Sequence, residues 1–195
     1  MMHFYDTQTL PVSPWRNGGG ETREIISFPP HATVFDWRAS IATIARRGDF
    51  SLFPGVDRVI TLLEGEGVEL YAAGEIIQAL RLNQPFAFAG ETPIFSKLSG
   101  EKSLDFNVMT RRDSTTARVF TTSAAQQCQA GVFWIITGEW QVGEKRLTRG
   151  EGAWWYQGGE PVHPMTADAL MLFAQIETIE NAVPPSRGRV VNRAL

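Results

Sequence analysis

Two residue types that build chemistry are scarce in this chain: Cys128 is its one cysteine, and His3, His31 and His163 are its three histidines in 195 residues. A single cysteine excludes an intrachain disulfide and a thiolate metal cluster, and it fits a reducing compartment. The histidines are scattered, with no two one residue apart, and an isolated imidazole cannot hold a metal without companions. His163, in EPVHPM, and His31, after two prolines, read as loop residues. Ser-His-Asp and Cys-His arrangements lack their parts as well. No stretch reaches the ~18 apolar residues of a membrane span. No basic run exists to displace counterions from phosphates, and the formal charge is -3, so a nucleic-acid partner is not expected. The opening MMHFYDTQTL has neither the charged segment nor the apolar run of a secretory signal, and the expectation is a soluble, cytoplasmic chain with no membrane partner. Arg187, Arg189 and Arg193 make the densest basic stretch and read as a solvated tail.

What the chain does have is material for a core: 43% hydrophobic residues, six tryptophans and only 20% charged residues, a balance no disordered chain shows. The apolar residues come in short, partly alternating bursts: VFDWRASIATI (34–44), RVITLLEG (58–65), SLDFNVMT (103–110), GVFWIITG (131–138) and ALMLFAQI (169–176). These read as strands. Turn chemistry separates them at FPG (53–55), GEG (65–67), AAGE (72–75), LNQP (82–85) and TRGEG (148–152). In STTARVFTTSAAQQCQ (114–129), Ala and Gln favour helix while Thr and Val favour strand, and the segment stays open between the two.

The run RVITLLEG, LNQPFAFAG, SLDFNVMT has a later echo in GVFWIITG, RGEGAWWYQG, ALMLFAQI, offset by about 70 residues, which is the mark of a duplication. A strand ending in glycine, a short hairpin, then a Pro or Gly turn feeding an apolar strand is the order of the cupin barrel, a jelly-roll type. The expected fold is therefore all-β, a double cupin-like barrel from two duplicated halves. Its divisions are residues 1–112 as the first barrel, 113–130 as a linker, 131–180 as the second half with room for N-terminal strands to contribute, and 181–195 as a tail. Where a metal-dependent cupin carries its histidine pair, after Gly65, this chain has Glu66, Glu69 and Tyr71, so neither metal nor cofactor is expected.

The segment PWRNGGGETREI (14–25) is the least ordinary in composition. Three successive glycines permit close backbone approach, and their N–H groups can form an anion-binding nest. A strand from Glu21 to Ile26 puts Thr22 and Glu24 on one face and Glu21, Arg23 and Ile25 on the other; periodicity alone does not say which face looks inward. The bland account is a glycine turn with solvated charges. No helical pattern follows, so a pyrophosphate site is not expected. Further polar sets lie at Asp36, Arg38 and Ser40, in FSLFPGVDR (50–58), and at Ser103, Asp105 and Asn107. Asp105 suits either a ligand or a bidentate arginine bridge.

These segments in order, WRNGGGETREI, DWRASIATI, GDFSLFPGVDRVITLLEG, QPFAFAGE and SLDFNVMTRRD, resemble the HutD/Ves family over about residues 4–176. The resemblance implies a cupin-type double barrel without metal ligands, and an association with histidine utilisation or, in the Ves branch, with a stress response; it implies no reaction. The favoured reading is a binding protein for a small carboxylated metabolite such as urocanate or formylglutamate. Arg16, Arg23, Arg38 and Arg58 would hold carboxylates, with Asn17, Thr22, Glu24, Asp105 and Asn107 as further polar contacts and Trp15, Trp37 and Phe53 as pocket walls. The alternative is a metal-independent isomerase or lyase with Glu21 or Glu24 as general base. A third reading takes Trp154, Trp155 and Tyr156 of AWWYQGG as a partner or homodimer surface, against the plainer account of core packing.

Overall fold

The computed structural model describes residues 1–179; the expected tail, with Arg187, Arg189 and Arg193, lies outside the described residues. After β1 (His3–Asp6) and one 3-10 turn (Thr7–Thr9), the chain runs through β2 (Val12–Pro14), β3 (Gly20–Phe28), β4 (Trp37–Ile44), β5 (Gly48–Asp49), β6 (Val56–Glu64), β7 (Val68–Ala72), β8 (Glu75–Leu80), β9 (Phe86–Ala89), β10 (Phe95–Leu98) and β11 (Ser103–Arg111). The remaining strands are β12 (Thr115–Thr122), β13 (Gly131–Thr137), β14 (Trp140–Val142), β15 (Lys145–Leu147), β16 (Glu151–Trp155), β17 (Val162–Pro164) and β18 (Leu170–Thr178).

The strands form two pairs of sheets. The first half joins a six-stranded sheet, β2-β3-β4-β11-β6-β9, to a four-stranded one, β5-β10-β7-β8. The second joins a five-stranded sheet, β1-β16-β13-β18-β12, to a three-stranded one, β15-β14-β17. The order β4-β11-β6-β9 in one half matches β12-β18-β13-β16 in the other, and β10-β7-β8 matches β17-β14-β15. The fold is thus two duplicated cupin-like halves, each a pair of facing sheets rather than one continuous hydrogen-bonded barrel.

Strand alternation decides where side chains go. Val132, Trp134 and Ile136 of β13, Leu172, Ala174 and Ile176 of β18, and Trp37, Ala39, Ile41, Phe106 and Val108 of the six-stranded sheet meet in one buried seam between the halves. The other face of β13 and β18 points into the second half, where Phe133, Trp140, Trp155, Met171 and Phe173 fill the interior. Both faces of these strands are covered, so both are apolar, which is why GVFWIIT reads as a continuous hydrophobic run. In the first half, Ile60, Leu62, Val68, Leu70, Leu80 and Ile94 pack between the sheets.

One stretch differs from its sequence-based assignment, and another falls where the divisions left room. Eight residues of the expected linker 113–130 form β12, paired along its whole length with β18. Its Thr, Val and Phe residues outweigh the downstream Ala and Gln, because a helix here would leave the edge of β18 unpaired. And β1, from the start of the chain, pairs with β16, so the second half is completed by N-terminal residues. Of the AWWYQGG aromatics, Trp155 is fully buried inside the second half, Trp154 packs at the seam beside His3 (4.1 Å between ring centres) and Trp37, and Tyr156 stays 44% exposed against Phe28.

Gly152 shows how tightly β1 docks. The Tyr5 phenol lies over it and donates to the Phe133 carbonyl at 2.8 Å. A Cβ on Gly152 would collide with that carbonyl oxygen and sit 2.7 Å from the phenol oxygen. Gly152→Ala is expected to destabilise the fold by about 1–3 kcal/mol through overpacking, read as a lower urea midpoint with an unchanged slope.

Candidate functional site

The inward face of β4, β11 and β6 is polar, unlike the apolar faces that form the three buried clusters. The registers set its side chains in rows across the three strands, Arg38–Met109–Arg58, Ser40–Asn107–Ile60 and Ala42–Asp105–Leu62. Leu62 joins the apolar packing between the sheets, while Arg38, Ser40, Ala42, Arg58, Ile60, Asn107 and Met109 line an open cavity of about 430 Å³. Trp15, Arg16 and Asn17 from the β2–β3 turn, Thr22 from β3, and Phe50, Ser51 and Phe53 ahead of β6 complete its wall.

Arg58 is the group the cavity is built around. It is 7% exposed, and its guanidinium carbon lies 4.9 Å from the ring centre of Phe88, its cross-strand neighbour, 5.4 Å from Phe50 and 5.5 Å from Phe53. It donates through Nη1 to the Ser51 carbonyl at 3.3 Å and through Nη2 to Asn107 Oδ1 at 3.4 Å, while its buried Nε has no partner. Among the described residues no carboxylate pairs with it. Burial, and then the positive charge of Arg38, pull its pKa down to about 10, which leaves it a cation at neutral pH. The aromatic faces stabilise a desolvated cation only in part.

Eight of the residues expected from sequence come together here: Trp15, Arg16, Asn17, Thr22, Arg38, Phe53, Arg58 and Asn107. Four do not line the cavity. Trp37 precedes Arg38 and therefore points the other way, into the seam. Arg23 faces away from the cavity with Glu21, to which it donates at 2.6 Å, so the glutamate weighed as a base is not at the cavity. Glu24 shares the face of Thr22 and accepts from Arg38 Nε at 2.7 Å. Asp105 is fully buried without an arginine partner: Ser103 Oγ donates to one carboxyl oxygen at 2.5 Å, and the other has no partner.

The glycine run does not make an anion nest. The Gly18 N–H is taken by the Trp15 carbonyl at 3.0 Å and the Gly19 N–H by Asn17 Oδ1 at 2.9 Å. Gly20 is required for a different reason: a Cβ there would collide with the Thr43 carbonyl of the neighbouring strand. Ser40, Ala42, Ile44, Asp49, Phe50, Ser51, Ile60 and Met109 were not among the expected site residues. The alternation of β4 already aligned Ser40, Ala42 and Ile44 with Arg38, and that signal could have found them. Among the described residues no three His, Cys, Asp or Glu side chains converge as a metal site requires, and Tyr71 donates to Glu69 at 2.7 Å on the outer side of β7.

Comparison with known proteins gives one consistent result. The family model described as HutD matches residues 7–172. Protein Ves of Citrobacter koseri is 45% identical over 190 residues, covering 94% of this chain and 98% of that protein. The solved structure of HutD from Pseudomonas fluorescens SBW25, in a formate condition, superposes with a TM-score of 0.79 at 26% identity, over 92% of this chain and 100% of that one. A cupin 2 conserved barrel domain protein from Leptotrichia buccalis shares the fold, with a TM-score of 0.61 at 9% identity over 90% of this chain and 96% of that one.

Burial raises the Asp105 pKa to about 7, against a smaller lowering by the Ser103 hydrogen bond. A carboxyl raised in the folded state costs nothing below its unfolded value near 4 and destabilises progressively as pH climbs to about 7. Asp105→Asn keeps an acceptor for Ser103 and removes that cost. It is expected to leave stability near wild type at pH 4 and to raise it by about 2–4 kcal/mol at pH 8, measured by urea unfolding at the two pH values.

Proposed function

We infer the function of this chain from the premise that it belongs to the HutD family: it binds a small carboxylated metabolite in the cavity of its first half, by a mechanism in which arginine rather than metal supplies the positive charge. The observation that carries this reading is Arg58, a buried cation among three phenyl rings with no carboxylate beside it among the described residues. A desolvated charge is costly until an opposite charge joins it. A ligand carboxylate reaching the guanidinium meets a planar fork whose donors are only weakly engaged by protein. Arg38 and Asn107 flank that position, Thr22 and Ser40 offer hydroxyls, and Trp15, Phe53, Ile60 and Met109 supply apolar walls for the rest of a small molecule.

The role that goes with such a pocket is sensing or sequestering the metabolite, in histidine utilisation or a stress response, with urocanate and formylglutamate as the first compounds to try and the cytoplasm as the place. No helix among the described residues is long and apolar enough to cross a membrane. Catalysis by Glu21 or Glu24 has less behind it, since Glu21 faces away from the cavity and Glu24 is engaged by Arg38.

Calorimetry against urocanate, formylglutamate and glutamate is expected to show binding of at least one; silence with all three at millimolar concentration would sink the proposal. Arg58→Met is expected to weaken that binding by about 100-fold, as loss of a charge-assisted contact does. The same substitution should hold or raise the melting temperature, because it removes a buried charge and gives up only two long hydrogen bonds, to the Ser51 carbonyl and Asn107 Oδ1.

A further inference from the structure

Arg38 and Arg58 occupy one row of the floor, on either side of Met109. Their Cα atoms are two strand spacings apart, about 10 Å, and both side chains leave the same face of the sheet. Both line the one cavity. The two are held in different ways: Arg58 is packed under its aromatic rings, whereas Arg38 is held by Glu24.

A β-bulge brings Glu24 into place. Pairing between β3 and β4 passes from Glu24↔Ser40 directly to Ile26↔Ala39, leaving Ile25 as the additional residue. Ile25 and Ile26 both reach the buried seam, while Glu24 stays on the cavity side, diagonal to Arg38. Bulges beside functional sites commonly re-aim a side chain in this way. Glu24 takes Arg38 through Nε alone at 2.7 Å, and neither Nη of Arg38 donates to protein among the described residues. The end-on edge of that guanidinium is therefore free, with its side chain 22% exposed. Three arginines, Arg16, Arg38 and Arg58, line the cavity against one carboxylate, Asp49.

We propose that Glu24 is the positioning residue of a two-arginine clamp: by fixing Arg38 through Nε it turns the free Nη groups toward the cavity opposite Arg58, so that the site selects small molecules with an acidic group at each end. This rests on the carboxylate-binding reading above and adds to it the second contact and the residue that sets it. An end-on guanidinium held in place loses less rotamer freedom on binding than a swinging one, and its planar fork matches a carboxylate.

Calorimetry with glutarate and its monoamide, glutaramate, tests the clamp, because the two differ by one acidic group. Wild type should bind glutarate about tenfold tighter. Glu24→Ala should cost glutarate about tenfold and leave glutaramate within about twofold. Glu24→Gln, whose amide oxygen still accepts from Nε, should restore most of the loss, and Glu24→Ala should add nothing in an Arg38→Ala background. A purely structural role would instead lower the melting temperature and affect both ligands alike. If Glu24→Ala and Glu24→Gln both tighten glutarate binding, Glu24 is a competitor and the proposal falls. Equal affinity of wild type for the two acids overturns the clamp and leaves the Arg58 reading standing; binding of neither overturns both.

Discussion

The seam between the two large sheets is the constraint from which the rest follows. Once Trp37, Ala39, Ile41, Phe106 and Val108 are committed to packing against Val132, Trp134, Ile136, Leu172 and Ala174, period-2 alternation leaves no choice for their neighbours. Arg38, Ser40, Ala42, Asn107 and Met109 must face the interior of the first half, and Phe133, Ile135, Met171 and Phe173 that of the second. A one-residue slip would exchange the faces, bringing guanidinium into the seam and tryptophan into the cavity, so the apolar seam fixes the geometry of the polar site.

From the same strand order the two halves reach opposite results. In the second, aromatic side chains of β13, β14, β16 and β18 meet at the centre and leave no room. In the first, the equivalent strands carry arginine, serine and asparagine, and packing is confined to the neighbourhood of Leu62, Leu70 and Ile94. One half serves as a rigid backing, and the other, relieved of supplying all the stability, carries an unpaired buried cation and a buried carboxyl. Such departures from good packing tend to gather where function is.

The strands, the glycine turns and the duplication were legible in the sequence because each depends on local spacing. So was about half of the cavity wall, since WRN, Thr22, Arg38, Phe53, Arg58 and Asn107 lie in segments of unusual composition. Trp37 was expected beside Arg38 although adjacent residues on a strand cannot share a face, an error that alternation alone exposes. The other failures share one physical cause, that pairing between distant strands is not written locally. Arg23 was grouped with the cavity because the inward face of β3 could not be told from its alternation. The Glu24–Arg38 contact depends on the bulge at Ile25, and the strand at Thr115–Thr122 depends on an edge of β18 that exists only in three dimensions. Asp105 suited either a ligand contact or an arginine bridge, and only its burial reveals a carboxyl with one hydroxyl for company.

The position of β1 bears on how the chain is made. Met2 is buried in the second half's interior, and the hydroxyls of Tyr5 and Thr7 reach the carbonyls of Phe133 and Gly150 at 2.8 and 2.6 Å. During synthesis these residues emerge well ahead of their partners, and the surface they complete is not there until more than a hundred and twenty further residues have followed. The second half is complete only when β1 has β16 to pair with. A cut at the centre of the chain would not yield two independent domains, because a strand of the second half lies in sequence ahead of the whole first half.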